Sequence, residues 1–140
     1  MPANVLLLDT QGWLALLNTR DRLHTFASAE WQRRMVDGYS VLLTDWIIAE
    51  TGNGLARTTV REGFAESVKA VLVDPRVRLV YVTPELLAHA VILYEQRSDK
   101  TWGLVDCVSF IVMQDAGVAE AFTNDEHFTQ AGFKCLLPKP

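Results

Sequence analysis

Short apolar runs along the chain predict the strands of a buried parallel sheet. The run from Val5 to Leu8 is continuous rather than alternating, which is typical of a strand that is covered on both faces. The run that starts at Val77 is rich in β-branched residues, which favour strands. On this basis we predict strands over residues 4–9, 40–44, 77–82, 118–123 and 134–137.

Helical spacing and capping residues predict helices between these strands. Thr83 and Pro84 form a helix-start signal, because proline is favoured at the first helical position. Residues 104–116 are apolar on nearly all sides, so this helix is expected to be central and buried. Asp45 is expected to cap the helix after the second strand. Helices are predicted around 13–17, over 23–36 with an apolar face of Phe26, Ala29, Trp31 and Met35, from 46, over 61–73, from 84 with an apolar face of Leu86, Leu87, Ala90, Val91 and Tyr94, over 104–116, and within 124–132.

The order of these elements predicts an α/β fold. We expect a single domain over residues 1–140, with a central parallel sheet flanked by helices on both faces. A chain of 140 residues can bury one core, and 49% hydrophobic with 21% charged residues is the balance of a globular protein.

Composition also limits where the protein acts and what it binds. No apolar run approaches the ~20 residues that span a bilayer, and residues 1–4 lack the basic start of a signal peptide, so we expect a cytoplasmic protein without a membrane partner. Cys107 and Cys135 lack the spacing of a zinc site or a disulfide framework. The net charge of −4 argues against nucleic-acid binding through bulk electrostatics. A polyanionic substrate would therefore need local positive charge or a metal ion.

Four carboxylates fall where the loops of the predicted sheet converge. In open parallel sheets, ligand sites lie beyond the carboxyl ends of the strands. Asp9 ends the first strand, and Asp125 follows the fourth. Glu50 lies in the helix after the second strand, and Asp106 lies in the first turn of the buried helix. We therefore predict that these four acids share one site.

Each acid taken alone has a simpler interpretation. Asp9 could cap a helix, Glu50 could be solvated, and Asp125 could belong to a turn. Asp106 is more informative, because a carboxylate in an apolar helix is costly without a partner, although a helix-dipole role stays open. Crowded carboxylates repel one another and are normally held by a hard divalent cation such as Mg²⁺ or Mn²⁺. Such an ion suits the hydrolysis of a phosphodiester.

Five sequence blocks, read together, resemble one protein family. The pair of blocks around Asp106 and Asp125 is the specific part, because a lone Asp-Thr near the N-terminus is a weak motif. The likeness extends from Val5 to Phe133 and is to the PIN-domain ribonucleases, especially their VapC-like toxin branch. The blocks are residues 8–18, 44–51, 105–113, 123–128 and 131–133.

The resemblance implies a Mg²⁺- or Mn²⁺-dependent endoribonuclease. It also implies a toxin that is silenced by a small antitoxin protein, and a homodimer. Gln11 and Gly103 depart from the family pattern, but glycine is an acceptable N-cap, so the helix after Gly103 should survive. The family's residues carry over to Asp9, Glu50, Asp106 and Asp125 as catalytic acids, to Asp9, Asp106 and Asp125 as metal ligands, and to Thr10, Ser109 and Thr123 as supporting residues.

Several polar residues near these motifs keep two interpretations. His127 is interpreted as a packing or capping residue, with metal binding as the alternative. Ser109, one turn after Asp106, is expected to form a hydrogen bond within the site or the helix. Arg20, Arg22, Arg33 and Arg34 are candidate contacts for RNA phosphates, with solvated surface charge as the simpler interpretation.

Two other classes of protein compete with a nuclease. A phosphate-signalling receiver domain would need an aspartate at the end of the third strand, where this chain has Val82 and Thr83. A PIN-like domain that has lost activity and only binds RNA or protein stays open, although the presence of all four acids argues against it.

Overall fold

The computed structural model describes residues 4–139, so residues 1–3, part of the segment judged for a signal peptide, lie outside the described residues. All the predicted helices and strands are present, but several strands are shorter than predicted. The strands are β1 (Val5–Leu8), β2 (Ser40–Thr44), β3 (Val77–Val80), β4 (Glu120–Phe122) and β5 (Lys134–Cys135). The helices are α1 (Thr10–Leu17), α2 (His24–Val36), α3 (Asp45–Leu55), α4 (Arg61–Val73), α5 (Pro84–Gln96), α6 (Leu104–Ala116) and α7 (Glu126–Gln130).

The strands form one parallel sheet in the order β3-β2-β1-β4-β5, which confirms the predicted fold class. Leu7 in the central strand β1 pairs with Leu42 of β2 and with Ala121 of β4. Every residue of β1 is buried, as its continuous apolar run predicted. The chain reverses direction across the sheet after β3. Because crossovers between parallel strands are right-handed as a rule, this reversal puts α1 to α4 on one face and α5 and α6 on the other. The reversal leaves a crevice at the carboxyl ends of β1 and β4, where parallel sheets bind ligands.

The start of α3 differs from the prediction. Thr44, not Asp45, is the N-cap, and its hydroxyl accepts a hydrogen bond from the Ile47 amide at 3.1 Å. Asp45 is the first helical residue instead, and its carboxylate accepts a hydrogen bond from the Val82 amide at 2.9 Å. Threonine is also a favoured N-cap, although it ranks below aspartate, so the cap ranking alone pointed to the wrong one of these two neighbours.

Gly12 allows α1 to lie directly against the end of β4. A Cβ atom at this position would lie 2.0 Å from the carbonyl oxygen of Phe122, so no side chain fits without a backbone shift. Trp13, the next residue, is buried in the core. This close approach brings the start of α1 beside the residues that follow β4.

Helices α5 and α6 differ in how much of their apolar surface is covered. Most residues of α6 between Cys107 and Met113 are buried, as predicted. On α5 only Ala90 is fully buried, so the predicted apolar face is covered in part. The large apolar residues that α5 exposes are Leu87, Val91, Ile92 and Tyr94.

None of the helices within residues 4–139 has both the length and the apolar character required to cross a bilayer.

The predicted apolar face of α2 is partly wrong, because Phe26 and Ala29 are exposed. The buried residues of this helix are Ala27 and Arg34. The guanidinium of Arg34 pairs with carboxylates on its own helix and on β4, which is why an arginine can be buried here. Arg34 is therefore paired within the chain. It is not the free surface cation for RNA phosphates that the sequence had left as a candidate.

Candidate metal-binding active site

An open depression at the carboxyl edge of the sheet collects all four predicted acids. Asp9 reaches it from the end of β1, Glu50 from α3, Asp106 from the first turn of α6 and Asp125 from the loop after β4. No lysine or arginine is among the described residues that line it. The lining residues are Asp9, Thr10, Gln11, Glu50, Gly54, Thr101, Gly103, Asp106, Asp125 and His127.

Asp9 is the most deeply buried of the four acids, with 5% of its surface exposed. Thr123, also buried, donates a hydrogen bond from its hydroxyl to Asp9 Oδ2 at 2.9 Å. Burial raises the Asp9 pKa from 3.8 to about 7, and the negative charges of Asp106 and Glu50 add to the rise. The hydrogen bonds from Thr123 and from the Thr10 backbone oppose it. Asp9 therefore lies in a position where a cation would strongly stabilise its ionised form.

Thr123 also connects the first and fourth acids. Its hydroxyl oxygen accepts a hydrogen bond from the Asp125 amide at 3.1 Å while donating to Asp9. The one hydroxyl thus fixes the carboxylate that follows β1 and the backbone that follows β4. These contacts place Thr123 beside two of the acids, and its supporting role stays a prediction.

Thr10 and Glu50 form a second connected pair. The Thr10 hydroxyl donates to Glu50 Oε1 at 2.8 Å and lies 2.9 Å from the hydroxyl of Thr51. Thr51 is fully buried and donates to the Ile47 carbonyl at 2.7 Å. Thr51 was not among the predicted site residues, although a threonine beside Glu50 in the same helix was the available signal.

Asp106, at the start of α6, has two nitrogen atoms close to one of its carboxylate oxygens. Gly103, the N-cap, donates its backbone N–H to Asp106 Oδ2 at 3.1 Å, so the helix survives the glycine as expected. His127 Nδ1 lies 2.8 Å from the same oxygen. Burial raises the Asp106 pKa, the charge of Asp125 adds to the rise, and the contacts with Gly103 and His127 oppose it.

His127 lines the depression. Its interpretation as a packing or capping residue had not predicted a place inside the site. Its Nδ1 atom is 3.5 Å from Asp125 Oδ1 as well as 2.8 Å from Asp106 Oδ2. Its Nε2 atom is 3.0 Å from the Thr101 hydroxyl. The helix cap of α7 is Asp125, whose carboxylate accepts the His127 amide at 2.9 Å. The spacing of Asp125 and His127 was the sequence signal for this arrangement.

Ser109 does not behave as predicted. Its hydroxyl is fully buried and has no hydrogen-bond partner among the described residues. Ser109 is also absent from the residues that line the depression. The helix turns Ser109 into the core, so its position one turn after Asp106 does not bring it to the site.

The donor set fits a divalent cation. Burial is the main cause of the raised pKa values of Asp9 and Asp106, and the negative charges of neighbouring carboxylates in the depression add to it. Asp106, Asp125 and His127 each offer one possible ligand atom. These three atoms all lie within 4.8 Å of one another. Oxygen-rich clusters of this kind are the sites that hard divalent ions occupy.

A second depression continues the first along the surface. Gln11 and Asp125 line both of them. Lys139 lines the second depression and brings the only positive charge among its lining residues. The two depressions together form a path along which an extended polyanion could pass the acids.

Comparison with known proteins finds sequence similarity over nearly the whole chain. A family model described as PIN domain matches residues 6–134. The 23S rRNA-specific endonuclease VapC20 of Mycobacterium tuberculosis is 27% identical over 135 residues, which cover 96% of this chain and 100% of that protein. The match extends over the whole of that relative, so the likeness is not confined to the acidic motifs.

Solved structures agree with this comparison. The crystal structure of M. tuberculosis VapC20, described as a sarcin-ricin loop cleaving toxin, matches with a TM-score of 0.82 at 27% identity, over 95% of this chain and 99% of that one. VapBC2 from Rickettsia felis, bound to a DNA fragment from its promoter, matches with a TM-score of 0.67 at 11% identity, over 94% and 96%. The second likeness concerns the fold alone. This chain therefore belongs to the PIN-domain family, in its VapC-like branch.

Proposed function

We propose that this protein is a divalent-metal-dependent endoribonuclease that hydrolyses RNA phosphodiester bonds. The observation that carries the proposal is the depression itself, which gathers Asp9, Glu50, Asp106 and Asp125 without a lysine or arginine among its lining residues. Mutually repelling carboxylates lower stability unless a cation neutralises them, so a purely structural role does not account for the cluster. The likeness to the endonuclease VapC20 over nearly the whole chain supports RNA as the substrate.

The side chains divide the work according to their contacts. Asp9, Asp106 and Asp125 are the proposed metal ligands, and Glu50 is the proposed acid that orients a water molecule in the depression. A bound Mg²⁺ or Mn²⁺ ion would lower the pKa of a water molecule and stabilise negative charge on the phosphate. Thr123 and Thr10 hold Asp9 and Glu50 in place through their hydroxyl groups.

We also propose two protein partners. Helix α5 exposes several large apolar residues, and a second copy of the chain would cover them. A homodimer would give about twice the 15.7 kDa of one chain in light scattering, and a constant mass near 15.7 kDa at micromolar concentrations would contradict it. A small antitoxin partner is proposed from the likeness to VapC-like toxins, and its reading frame should adjoin this one.

Cleavage of RNA by the purified protein tests the proposed activity. RNA should be cut in the presence of Mg²⁺ or Mn²⁺, and excess chelator should stop the reaction. Asp106→Asn is the matched variant, because it keeps the size of the side chain and removes one charge. Equal cleavage with chelator present would overturn the metal mechanism. Binding of RNA without cleavage at any metal concentration would instead indicate an inactive PIN-like module.

A further inference from the structure

His127 is the only nitrogen-bearing ring among the residues that line the acidic depression. We propose that His127 is a ligand, through Nδ1, of the ion held by Asp106 and Asp125, and that it makes the site prefer a first-row transition-metal ion to Mg²⁺. This inference rests on the proposed metal-dependent function. It goes beyond that function by naming a further ligand and the class of metal.

The distances around Nδ1 match the edges of a coordination shell. Adjacent ligands of an octahedral ion with bonds of about 2.1 Å are separated by about 3 Å. His127 Nδ1 lies 2.8 Å from Asp106 Oδ2 and 3.5 Å from Asp125 Oδ1, on either side of that value. The three atoms can therefore surround one ion after small side-chain rotations.

The surroundings of His127 hold its ring in the required direction. Its backbone N–H donates a hydrogen bond to Asp125 Oδ1 at 2.9 Å, which fixes the first turn of α7 against the site. Its far nitrogen, Nε2, lies 3.0 Å from the hydroxyl of Thr101. Metal-binding histidines usually donate the N–H of the other ring nitrogen to an oxygen, which fixes both the tautomer and the ring orientation. Thr101 is placed to accept such a bond.

A nitrogen ligand changes which ion the site prefers. Mg²⁺ is bound almost entirely through oxygen and keeps several water molecules. Imidazole suits first-row transition metals, whose affinity for mixed nitrogen and oxygen sites increases from Mn²⁺ towards Cu²⁺. The three proposed carboxylate ligands together with one imidazole should therefore bind Mn²⁺ more tightly than Mg²⁺, and among the transition-metal ions Mn²⁺ should bind most weakly.

One other arrangement explains the same contacts. Nδ1 can carry a proton and donate it to Asp106, so that His127 orients the carboxylate without contacting the ion. The two arrangements differ in whether a nitrogen atom is bonded to the metal, and this difference can be measured without any cleavage assay.

Electron spin-echo envelope modulation of the full-length protein loaded with substoichiometric Mn²⁺ tests the ligand directly. Wild type should show ¹⁴N coupling from a directly bound imidazole, and His127→Gln should lose it. His89→Gln is the control, because His89 lies outside the residues lining the acidic depression, and it should keep the coupling. Absence of ¹⁴N coupling from Mn²⁺-loaded wild type would overturn the inference, as would coupling that persists in His127→Gln.

Competition between Mn²⁺ and Mg²⁺ tests the selectivity. His127→Gln should reduce the preference for Mn²⁺ by about tenfold or more. His127→Asn separates the two arrangements, because its short amide can still donate to Asp106. It should lose the preference if His127 is a ligand, and wild-type preference in His127→Asn would overturn the inference.

The two levels of proposal fail in different ways. If Mn²⁺ binds, and Asp106→Asn weakens it, but no nitrogen coupling appears, the metal-dependent function stands and only the role of His127 is wrong. If wild type binds neither ion at millimolar concentration, both proposals are wrong.

Discussion

The two ends of the sheet both collect acidic side chains, but only one end neutralises them. At the amino end, Glu120 begins β4 and accepts hydrogen bonds from Arg34 at 3.2 Å and from Tyr39 at 2.8 Å. Glu30 on α2 accepts from Arg33 and Arg34 at distances down to 2.7 Å. Burial acts to raise the Glu30 pKa, but these bonds outweigh it and hold the pKa below its ordinary value. This end is a structural ion-pair network.

At the carboxyl end, the acids have no such partners. Asp9 and Asp106 have raised pKa values because of burial and neighbouring negative charge. Among the described residues, Asp106 and Asp125 lie within ion-pair distance of His127 and of no lysine or arginine. Arginine pairs with the acids at the amino end of the sheet. The acids at the carboxyl end have no arginine or lysine beside them among the described residues that line the depression. The contrast supports the proposal that a bound cation supplies positive charge at the carboxyl end.

The largest expected effect follows from removing the charge of Asp9. Asp9→Asn should lower metal affinity and RNA cleavage by orders of magnitude, because Asp9 is the most buried proposed ligand. Cleavage rates and Mn²⁺ titrations of the same preparation check this. Normal cleavage by a folded Asp9→Asn protein would contradict the assignment.

The same variant should change how stability without metal depends on pH. The folded-state pKa of Asp9, about 7, lies above its ordinary value of 3.8, so the folded protein keeps a proton that the unfolded chain releases. Stability therefore falls as the pH rises through this window, by about 1.4 kcal/mol per pH unit from Asp9 alone, and levels off above the folded pKa. Asp9→Asn should lose this contribution. Urea unfolding with chelator at pH 5 and pH 8 measures it, and parallel profiles for the two proteins would contradict it.

The next largest effect is expected at the neutralised end. Arg34→Met keeps much of the packing but leaves Glu30 and Glu120 without their shared cation, which should cost about 3 kcal/mol of unfolding free energy. Cleavage by the remaining folded protein should be normal. Arg33→Met is the matched control, because the Arg33 side chain is 58% exposed and a surface pair contributes less than about 1 kcal/mol. Equal losses from both variants would remove the distinction between a buried network and surface charge.

A smaller effect is expected from Thr123→Val, which removes one hydroxyl at constant shape. Asp9 loses a hydrogen-bond donor and the Asp125 amide loses its acceptor. Metal affinity should fall about 10- to 100-fold, as is usual for residues that orient metal ligands. The Asp9 pKa should rise further, because the Thr123 bond lowers it. Thr129→Val makes the same change at an exposed position of α7 and should leave Mn²⁺ affinity unchanged. Equal losses of Mn²⁺ affinity in the two variants would contradict the role of Thr123.

Much of the fold could be predicted because it depends on local pattern. The continuous apolar run of β1 and the all-round apolar surface of α6 each required burial, and both are buried. The exposed residues of α5 could not be predicted, because periodicity shows an apolar face but not whether the same chain covers it. Gly12 was missed for a similar reason, since only the packing of α1 on Phe122 shows why a side chain is excluded.

The acids of the site could be predicted, but their partners could not. Asp9 and Asp125 follow β1 and β4, so the rule for parallel sheets places them together without knowledge of side chains. Thr51 and His127 depend on rotamers and on contacts between helices distant in sequence. Ser109 shows the opposite error, because its spacing from Asp106 pointed to the site while the helix turned it into the core.

The smallest effect, and the most direct test of the comparison, comes from one substitution made at each end. Glu120→Gln keeps the acceptor oxygen for Arg34 and Tyr39 but removes the charge that pairs with Arg34, so stability should fall by about 1 kcal/mol. Mn²⁺ affinity should not change, because Glu120 lies at the amino end of β4, away from the acids that follow the strands. Glu50→Gln keeps the bond from Thr10 and removes one of the mutually repelling charges, so stability without metal should hold or rise while cleavage falls. Unfolding curves with chelator should therefore show a loss of stability for Glu120→Gln alone, and cleavage rates should show a loss for Glu50→Gln alone. If both variants destabilise the metal-free protein equally, the acids at the carboxyl end are already compensated within the chain, and the case for a cation there is lost.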